Sequence, residues 1–98
     1  MNENQYQAQI VKKLEVLFPG SSVFRQDATR YQGIPDLLIL HGSRWGMLEV
    51  KISESAPERP NQRFWVEHYN QMSFAAFIYP ENEEEVLRGL QLAFGYLG

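Results

Sequence analysis

Two acids and a lysine lie in two short segments that are close together in the chain. Asp36 ends the segment Gly33-Ile34-Pro35-Asp36, and Glu49-Val50-Lys51 follows after an apolar run. Two carboxylates held side by side share either a proton or a cation, and oxygen ligands of this type suit Mg²⁺ or Mn²⁺. A lysine beside them can orient a water molecule and stabilise an anionic transition state. These residue types predict metal-assisted hydrolysis of a phosphodiester.

A predicted β-hairpin brings the two acids together. Residues 37–40 form an apolar run of strand length, and residues 45–52 alternate in character. The intervening Gly42-Ser43 is typical of a two-residue hairpin loop. Pairing outward from that loop sets Asp36 directly opposite Glu49, with Cβ atoms about 5 Å apart, and strand alternation puts Lys51 on the same face. The alternative is an exposed hairpin face on which Lys51 only screens two acids.

Hydrophobic spacing predicts the elements around this hairpin. A helix is expected over residues 4–17, a strand over 23–26, a second helix from 60 or 61 to about 72, a strand over 73–79, and a last helix after Pro80. The helix between the third and fourth strands suits a right-handed crossover to a parallel strand. The predicted fold is therefore α/β, a mixed four-stranded sheet flanked by helices.

Two predicted helices begin with polar residues on their apolar stripes. In the first helix, Glu3 and Gln7 precede Ile10 and Leu14 on one face. In the second, Gln62 lies one turn before the stripe of Trp65, Tyr69 and Met72. The stripe of the last helix is Val86, Leu90, Phe94 and Leu97. Glu3 and Gln62 are thus expected at the edge of the core.

Length and charge limit the functional classes. The 98 residues predict one domain, 1–98, with a single core. Twelve acids and nine bases give a net charge of −3, which does not favour a nucleic-acid binder. The excess is local, because Glu81, Glu83, Glu84 and Glu85 account for four acids, and acids suit the first turn of a helix. The absence of cysteine excludes disulfides and thiolate chemistry, and the lack of a signal pattern or membrane-length apolar run predicts a cytoplasmic protein.

The order of elements, with the Gly-x-Pro-Asp segment at one strand start and Glu-x-Lys in the next strand, resembles the PD-(D/E)xK nuclease superfamily. Within it the chain is most similar to the small phage-type VRR-Nuc (virus-type replication-repair nuclease) domains. Glu3, Asp36, Glu49, Lys51 and Gln62 match that pattern in order, and the resemblance covers about residues 1 to 80. One departure is that Glu-Val-Lys is followed by Ile-Ser and a proline-containing loop, without the basic signature of the family.

The resemblance implies a restriction-endonuclease-like αβββαβ core with an extra C-terminal helix, and a metal-dependent DNA endonuclease from a phage or its bacterial host. It implies that Asp36, Glu49 and the Val50 carbonyl bind Mg²⁺ or Mn²⁺ and that Lys51 positions the nucleophilic water. Gln62 would steady Lys51 or the scissile phosphate, and Glu3 would add an outer-sphere or second-metal contact. Small members are homodimers that act on branched or flapped DNA, as Holliday-junction resolvases do. Exposed aromatics such as Trp45 or Phe64 would serve a dimer interface, the alternative for each being core packing.

Arg30, Arg59 and Arg63 are candidate DNA contacts, because Arg30 precedes the Gly33 turn and the other two flank Gln62. The acidic segment 81–85 is expected on the far side of the sheet, away from DNA. One competing hypothesis is a catalytically inert nuclease-fold protein that binds or regulates a partner through its acidic helix. Another is an enzyme of a different phosphodiester class, such as a ribonuclease or a subunit of a restriction or repair complex.

Overall fold

The computed structural model describes residues 1–96. The seven elements, in chain order, are α1 (Glu3–Leu17), β1 (Ser22–Arg25), β2 (Leu37–His41), β3 (Arg44–Val50), α2 (Gln62–Met72), β4 (Phe74–Ile78) and α3 (Glu83–Ala93). Each predicted helix and strand is present, with bounds that shift by one or two residues at most ends, as is usual for element boundaries. The predicted α/β class and element order are confirmed.

The strands form one mixed sheet in the order β1-β2-β3-β4. The first three strands are antiparallel, and β4 runs parallel to β3 after the crossover through α2. The hairpin register is as predicted, since Leu37 pairs with Leu48 and His41 pairs with Arg44 around the two-residue loop. Gly42 has a φ of 63°, a conformation that this type of turn requires and that glycine adopts without steric cost.

The helices cover both faces of the sheet. On one face α1 and α3 pack over the main core, which includes the fully buried Ile10, Leu14, Leu48 and Leu90. On the other face α2 covers a smaller cluster of Met47, Val66 and Ala75. Because side chains alternate along a strand, Met47 and Glu49 project to the α2 face. The hairpin acids therefore lie beneath the start of α2.

The predicted buried stripe of α2 is wrong in part. Gln62 and Val66 are its buried residues, whereas Met72 is 59% exposed. Trp65 and Tyr69 are half-buried, with their rings stacked at an interplanar angle of 17°, and Tyr69 packs against the small cluster under α2. In α3 the predicted Val86, Leu90 and Phe94 are buried, and Leu97 lies outside the described residues. No helix within residues 1–96 has the length and apolar character needed to cross a membrane.

Candidate active site

Asp36 and Glu49 meet at one end of the sheet. Asp36 immediately precedes β2, and Glu49 is the second-last residue of β3, so the observed register continues to set them opposite each other. The Asp36 carboxylate accepts a hydrogen bond from the Val50 backbone N–H through Oδ2 at 2.9 Å. The Asp36 carbonyl accepts another from the Gln26 N–H at 2.7 Å. Asp36 is thus held by both neighbouring strands.

The turn before Asp36 requires its glycine and proline. Gly33 has a φ of +85°, and a Cβ there would lie 2.6 Å from the Pro60 carbonyl oxygen, a distance that atoms cannot adopt without a backbone shift. Pro35 is fully buried, and its carbonyl accepts a hydrogen bond from Gln26 Nε2 at 3.0 Å. The Gly-x-Pro-Asp segment therefore brings the start of α2 against the turn and aims Asp36 into the site.

Glu49 is a buried carboxyl that is only partly satisfied. It is 3% exposed, its Oε2 accepts a hydrogen bond from Gln62 Nε2 at 3.1 Å, and its Oε1 has no hydrogen-bond partner within residues 1–96. Burial raises the pKa of Glu49 to about 9, with further upward effects from a hydrogen bond between its protonated carboxyl and Asp36, from the charge of Asp36 and from Glu3, while Lys51 lowers it. A carboxyl in this state needs either a proton or a cation.

Lys51 and Gln62 complete the group around Glu49. Lys51 is 5% exposed, and its Nζ donates to the Pro57 carbonyl at 3.1 Å. Gln62 Oε1 accepts from the Arg59 N–H at 2.8 Å, which leaves its amide nitrogen directed at Glu49. Gln62 was predicted to steady Lys51 or the scissile phosphate. Within residues 1–96 the hydrogen bonds of its side chain go to Glu49 and Arg59, and its contact with a phosphate stays a prediction.

Glu3 approaches the same site from α1. A capping box formed by Asn2 and Gln5 starts the helix one residue earlier than expected, which makes Glu3 its first residue. Glu3 is half-buried, and its charge contributes to the raised pKa of Glu49. Of the five side chains predicted for the site, Asp36, Glu49, Lys51 and Gln62 lie together at this end of the sheet. Glu3 acts on Glu49 through its charge.

Two solved structures are similar to this chain. One is a VRR_NUC domain, with a TM-score of 0.70 and 21% identity over 88% of this chain and 94% of that one. The chain shares the fold of this VRR_NUC domain. The other is Hjc of Archaeoglobus fulgidus, a Holliday junction resolvase from an archaeal hyperthermophile, with a TM-score of 0.54 and 14% identity over 78% of this chain and 67% of that one. No protein-family model matches the sequence, and no curated protein matches it.

The donor set around Asp36 and Glu49 suits a hard cation with few protein ligands. Within residues 1–96, no three or more His, Cys, Asp or Glu side chains form a group that could hold a metal ion, so Glu3 does not complete a three-carboxylate cluster. Mg²⁺ is usually held in proteins by one or two carboxylates together with waters. The unpartnered Oε1 of Glu49 beside Asp36 matches that requirement.

The three arginines predicted to contact DNA have different surroundings in the structure. Arg30 is exposed and lies over the Tyr31 ring at 5.7 Å, and the Arg59 side chain is exposed beside the Gln62 contact. Arg63 forms a bidentate ion pair with Glu58, with Nε at 3.0 Å from Oε1. The hydrogen bond to Glu58 raises the pKa of Arg63 and lowers that of Glu58. Arg63 is thus less free to meet a phosphate than Arg30 or Arg59.

The acidic segment lies closer to the site than the sequence suggested. Its helix packs on the face opposite α2, as expected, but β4 runs parallel to β3 and ends at Ile78 opposite Val50. The helix therefore begins at the same end of the sheet as the site. There Glu83 accepts a hydrogen bond from the Tyr6 hydroxyl at 2.8 Å and pairs with Lys13.

Sequence reasoning missed two groups that hold the site in place. The Pro57 carbonyl anchors Lys51, and Gln26 anchors the Pro35-Asp36 segment through its backbone and side chain. A carbonyl in a proline-containing loop and a glutamine at the end of a strand have no spacing pattern that marks them. Trp65 was assigned to the core, but its Nε1 donates to the Gln32 carbonyl at 3.0 Å and so ties α2 to the turn.

Proposed function

We propose that this protein is a metal-dependent DNA endonuclease that hydrolyses phosphodiester bonds, with selectivity for branched or flapped DNA. The observation that carries the proposal is the state of Glu49, buried, with one unpartnered oxygen and a pKa of about 9, beside Asp36. Strongly shifted pKa values next to a specific charge partner are typical of functional sites. The similarity in fold to a VRR_NUC domain and to a Holliday junction resolvase supports the same reaction class.

Asp36, Glu49 and the Val50 carbonyl would hold Mg²⁺ or Mn²⁺, with Glu3 as an outer-sphere contact. When bound, such an ion supplies a Lewis acid for the phosphate oxygens and lowers the pKa of a water molecule. Gln62 keeps the Glu49 carboxyl in one orientation by donating to Oε2 at 3.1 Å. This leaves Oε1 as the free ligand atom of Glu49.

Lys51 supplies the cation that acts on the reacting groups. Its ammonium group is buried and oriented by the Pro57 carbonyl, and its charge already acts on Glu49. We assign to Lys51 the positioning of the nucleophilic water and the stabilisation of charge that develops on the phosphate. Arg30 and Arg59, with Arg63 to a lesser extent, would contact DNA phosphates around the site.

A homodimer is part of the proposal. Paired incisions at a junction need two active sites, and a chain of 98 residues offers little surface to hold a branched substrate alone. A second copy would also double the number of basic contacts, which matters for a chain of net charge −3. Sedimentation equilibrium of the free protein measures this directly.

The decisive experiment is a cleavage assay with Mg²⁺ or Mn²⁺ on plasmid, four-way junction, flap and linear duplex DNA, with EDTA as the control. A structured RNA of the same length separates deoxyribonuclease from ribonuclease activity. We expect metal-dependent cleavage that is faster on the junction or flap than on the duplex. Absence of cleavage on every DNA substrate with either metal would remove the proposal.

An inert nuclease-fold binding protein is the alternative, and two observations favour it. The chain is net acidic, and its described residues contain no cluster of three metal-ligating side chains. In that case neither Mg²⁺ nor Mn²⁺ would change the melting temperature, and a partner would bind in the presence of EDTA. The intact set of Asp36, Glu49 and Lys51 argues against this alternative.

A further inference from the structure

An exposed aromatic cleft lies beside the site. It has a volume of about 400 Å³ and is lined by Arg30, Tyr31, Gln32, Asn61, Phe64 and Trp65. Phe64 is 59% exposed and Tyr31 is 49% exposed. These two large exposed rings line the same cleft. Such a surface indicates a binding site, because isolated exposed apolar side chains are common but contiguous aromatic patches are not.

The aromatic rings are held in a defined arrangement. The Trp65 indole donates to the Gln32 carbonyl at 3.0 Å, which links α2 to the turn before Asp36. The Tyr31 and Phe64 rings each meet Trp65 edge to face, with centroids at 5.9 Å and 5.0 Å. Trp65 therefore forms a wall between two exposed rings, and little conformational freedom is lost when a flat ligand binds.

The cleft is lined by residues of the turn and of the helix start that also position the proposed active site. Tyr31 belongs to the turn that ends at Asp36, and Gly33 in that turn packs against the start of α2. Asn61 lines the cleft and directly precedes Gln62, whose side chain contacts Glu49. A strand whose phosphate lies at Asp36 and Glu49 would thus carry a neighbouring nucleotide past the cleft.

The chemistry of the cleft suits a nucleobase better than another protein surface. Arg30 brings a cation over the Tyr31 ring at 5.7 Å, and none of the lining residues is acidic. Aromatic faces that stack bases, combined with cations that meet phosphates, are how proteins hold single-stranded nucleic acid. Bases inside a continuous duplex are already stacked on both faces, so only an unpaired base can enter.

We propose that this cleft binds an unpaired base next to the scissile phosphate. This inference rests on the proposed endonuclease function and specifies which residues would hold the single-stranded part of its substrate. Phe64 and Tyr31 supply the stacking surfaces, and Arg30 contacts the phosphate of the bound nucleotide.

The test is the affinity of a flap substrate and of a fully paired duplex of equal length, measured by fluorescence anisotropy in EDTA. We expect the wild type to prefer the flap. Phe64→Ala should weaken flap binding roughly 5- to 100-fold, the range expected for the loss of one base–aromatic stack, and leave duplex binding unchanged. Phe64→Trp should keep the preference, and Leu92→Ala, which removes a 55% exposed side chain on α3, is the matched control. Equal affinities, or no flap binding by the wild type, would overturn the inference.

Two further measurements separate this inference from the proposed function. A 2-aminopurine base in the flap should be quenched by the wild type and not by Phe64→Ala. If the wild type cleaves flap and duplex alike and Phe64→Ala matches it, the endonuclease stands and the cleft proposal fails. If flap binding depends on Phe64 but no substrate is cleaved, the cleft stands and the endonuclease fails.

If Phe64→Ala converts a dimer into a monomer and weakens the binding of both substrates equally, the surface is an interface between copies and the inference is overturned.

Discussion

The Gln62 side chain donates a hydrogen bond to Glu49 at 3.1 Å, joining the first turn of α2 to the end of β3. Both residues are buried, so this contact links two elements that the chain separates by a loop. Among the described residues 1–96, Oε1 of Glu49 then has no hydrogen-bond partner. The orientation of this carboxyl therefore depends on how α2 packs on the sheet.

Replacement of Gln62 by Ala should lower the free energy of unfolding by about 1–3 kcal/mol in EDTA, because the buried carboxyl of Glu49 loses the hydrogen bond that Gln62 donates. Urea denaturation measures the change. Gln71→Ala, an exposed position of the same helix, is the control and should stay within about 0.5 kcal/mol of the wild type. Equal stability of the two variants would show that the Gln62 contact is of no energetic consequence.

Asp36→Ala, Glu49→Ala and Lys51→Ala should each reduce metal-dependent cleavage by about 10²-fold or more, because each removes a ligand or a cation that acts on the transition state. Rates come from single-turnover assays on the preferred substrate. Glu15→Ala and Lys12→Ala, which change exposed charges of α1, are the matched controls. A rate near that of the wild type in any of the three site variants contradicts the assignment of that residue.

The stability of the metal-free protein should fall as pH rises from about 5 to 9. The pKa of Glu49 is about 9 in the folded protein, against an ordinary value of 4.5, so the folded state keeps a proton that the unfolded state releases in this range. The stabilisation that comes from this bound proton is complete below the pKa of Glu49 in the unfolded state, and it is lost as pH rises through the pKa of Glu49 in the folded state. The free energy of unfolding should fall by at most about 1.4 kcal/mol per pH unit. Glu49→Gln should flatten the profile in urea titrations at several pH values, and an unchanged slope in that variant would refute the assignment of this pH dependence to Glu49.

Mg²⁺ or Mn²⁺ should raise the melting temperature, since a ligand of the native state stabilises it by mass action. The shift should grow between pH 6 and pH 9, because binding requires the ionised form of Glu49 and releases its proton. Differential scanning fluorimetry with and without millimolar metal measures both effects. Asp36→Ala should abolish the shift, and a shift that persists there would locate the binding elsewhere.

The dependence of DNA affinity on salt should identify the phosphate contacts. Arg30→Gln and Arg59→Gln should each make the slope of log affinity against log salt shallower by about one unit. Arg63→Gln should change it less, because Arg63 is paired with Glu58. Arg88→Gln, an exposed position on α3, is the control. A larger effect of Arg88 than of Arg30 would place the DNA on the other face of the sheet.

The sequence by itself determined the elements and the pairing of the two acids. The Gly42-Ser43 loop sets the hairpin register, and the register sets Asp36 opposite Glu49. Such features follow from backbone periodicity and from turns of a few residues, which act locally along the chain. The order of Glu3, Asp36, Glu49, Lys51 and Gln62 carried the resemblance to the PD-(D/E)xK nucleases, and that resemblance implied the same fold.

The tertiary structure alone decided the burial and the partners of these side chains. How far the pKa of Glu49 rises depends on the cover that α2 provides, and the anchor of Lys51 is a carbonyl in the loop at Pro57. Phe64 is exposed in the aromatic cleft because Gln62 and Val66, four residues apart, occupy the side of α2 that packs on the sheet. Burial and charge effects of this kind arise between elements that are distant in sequence, so no local pattern encodes them.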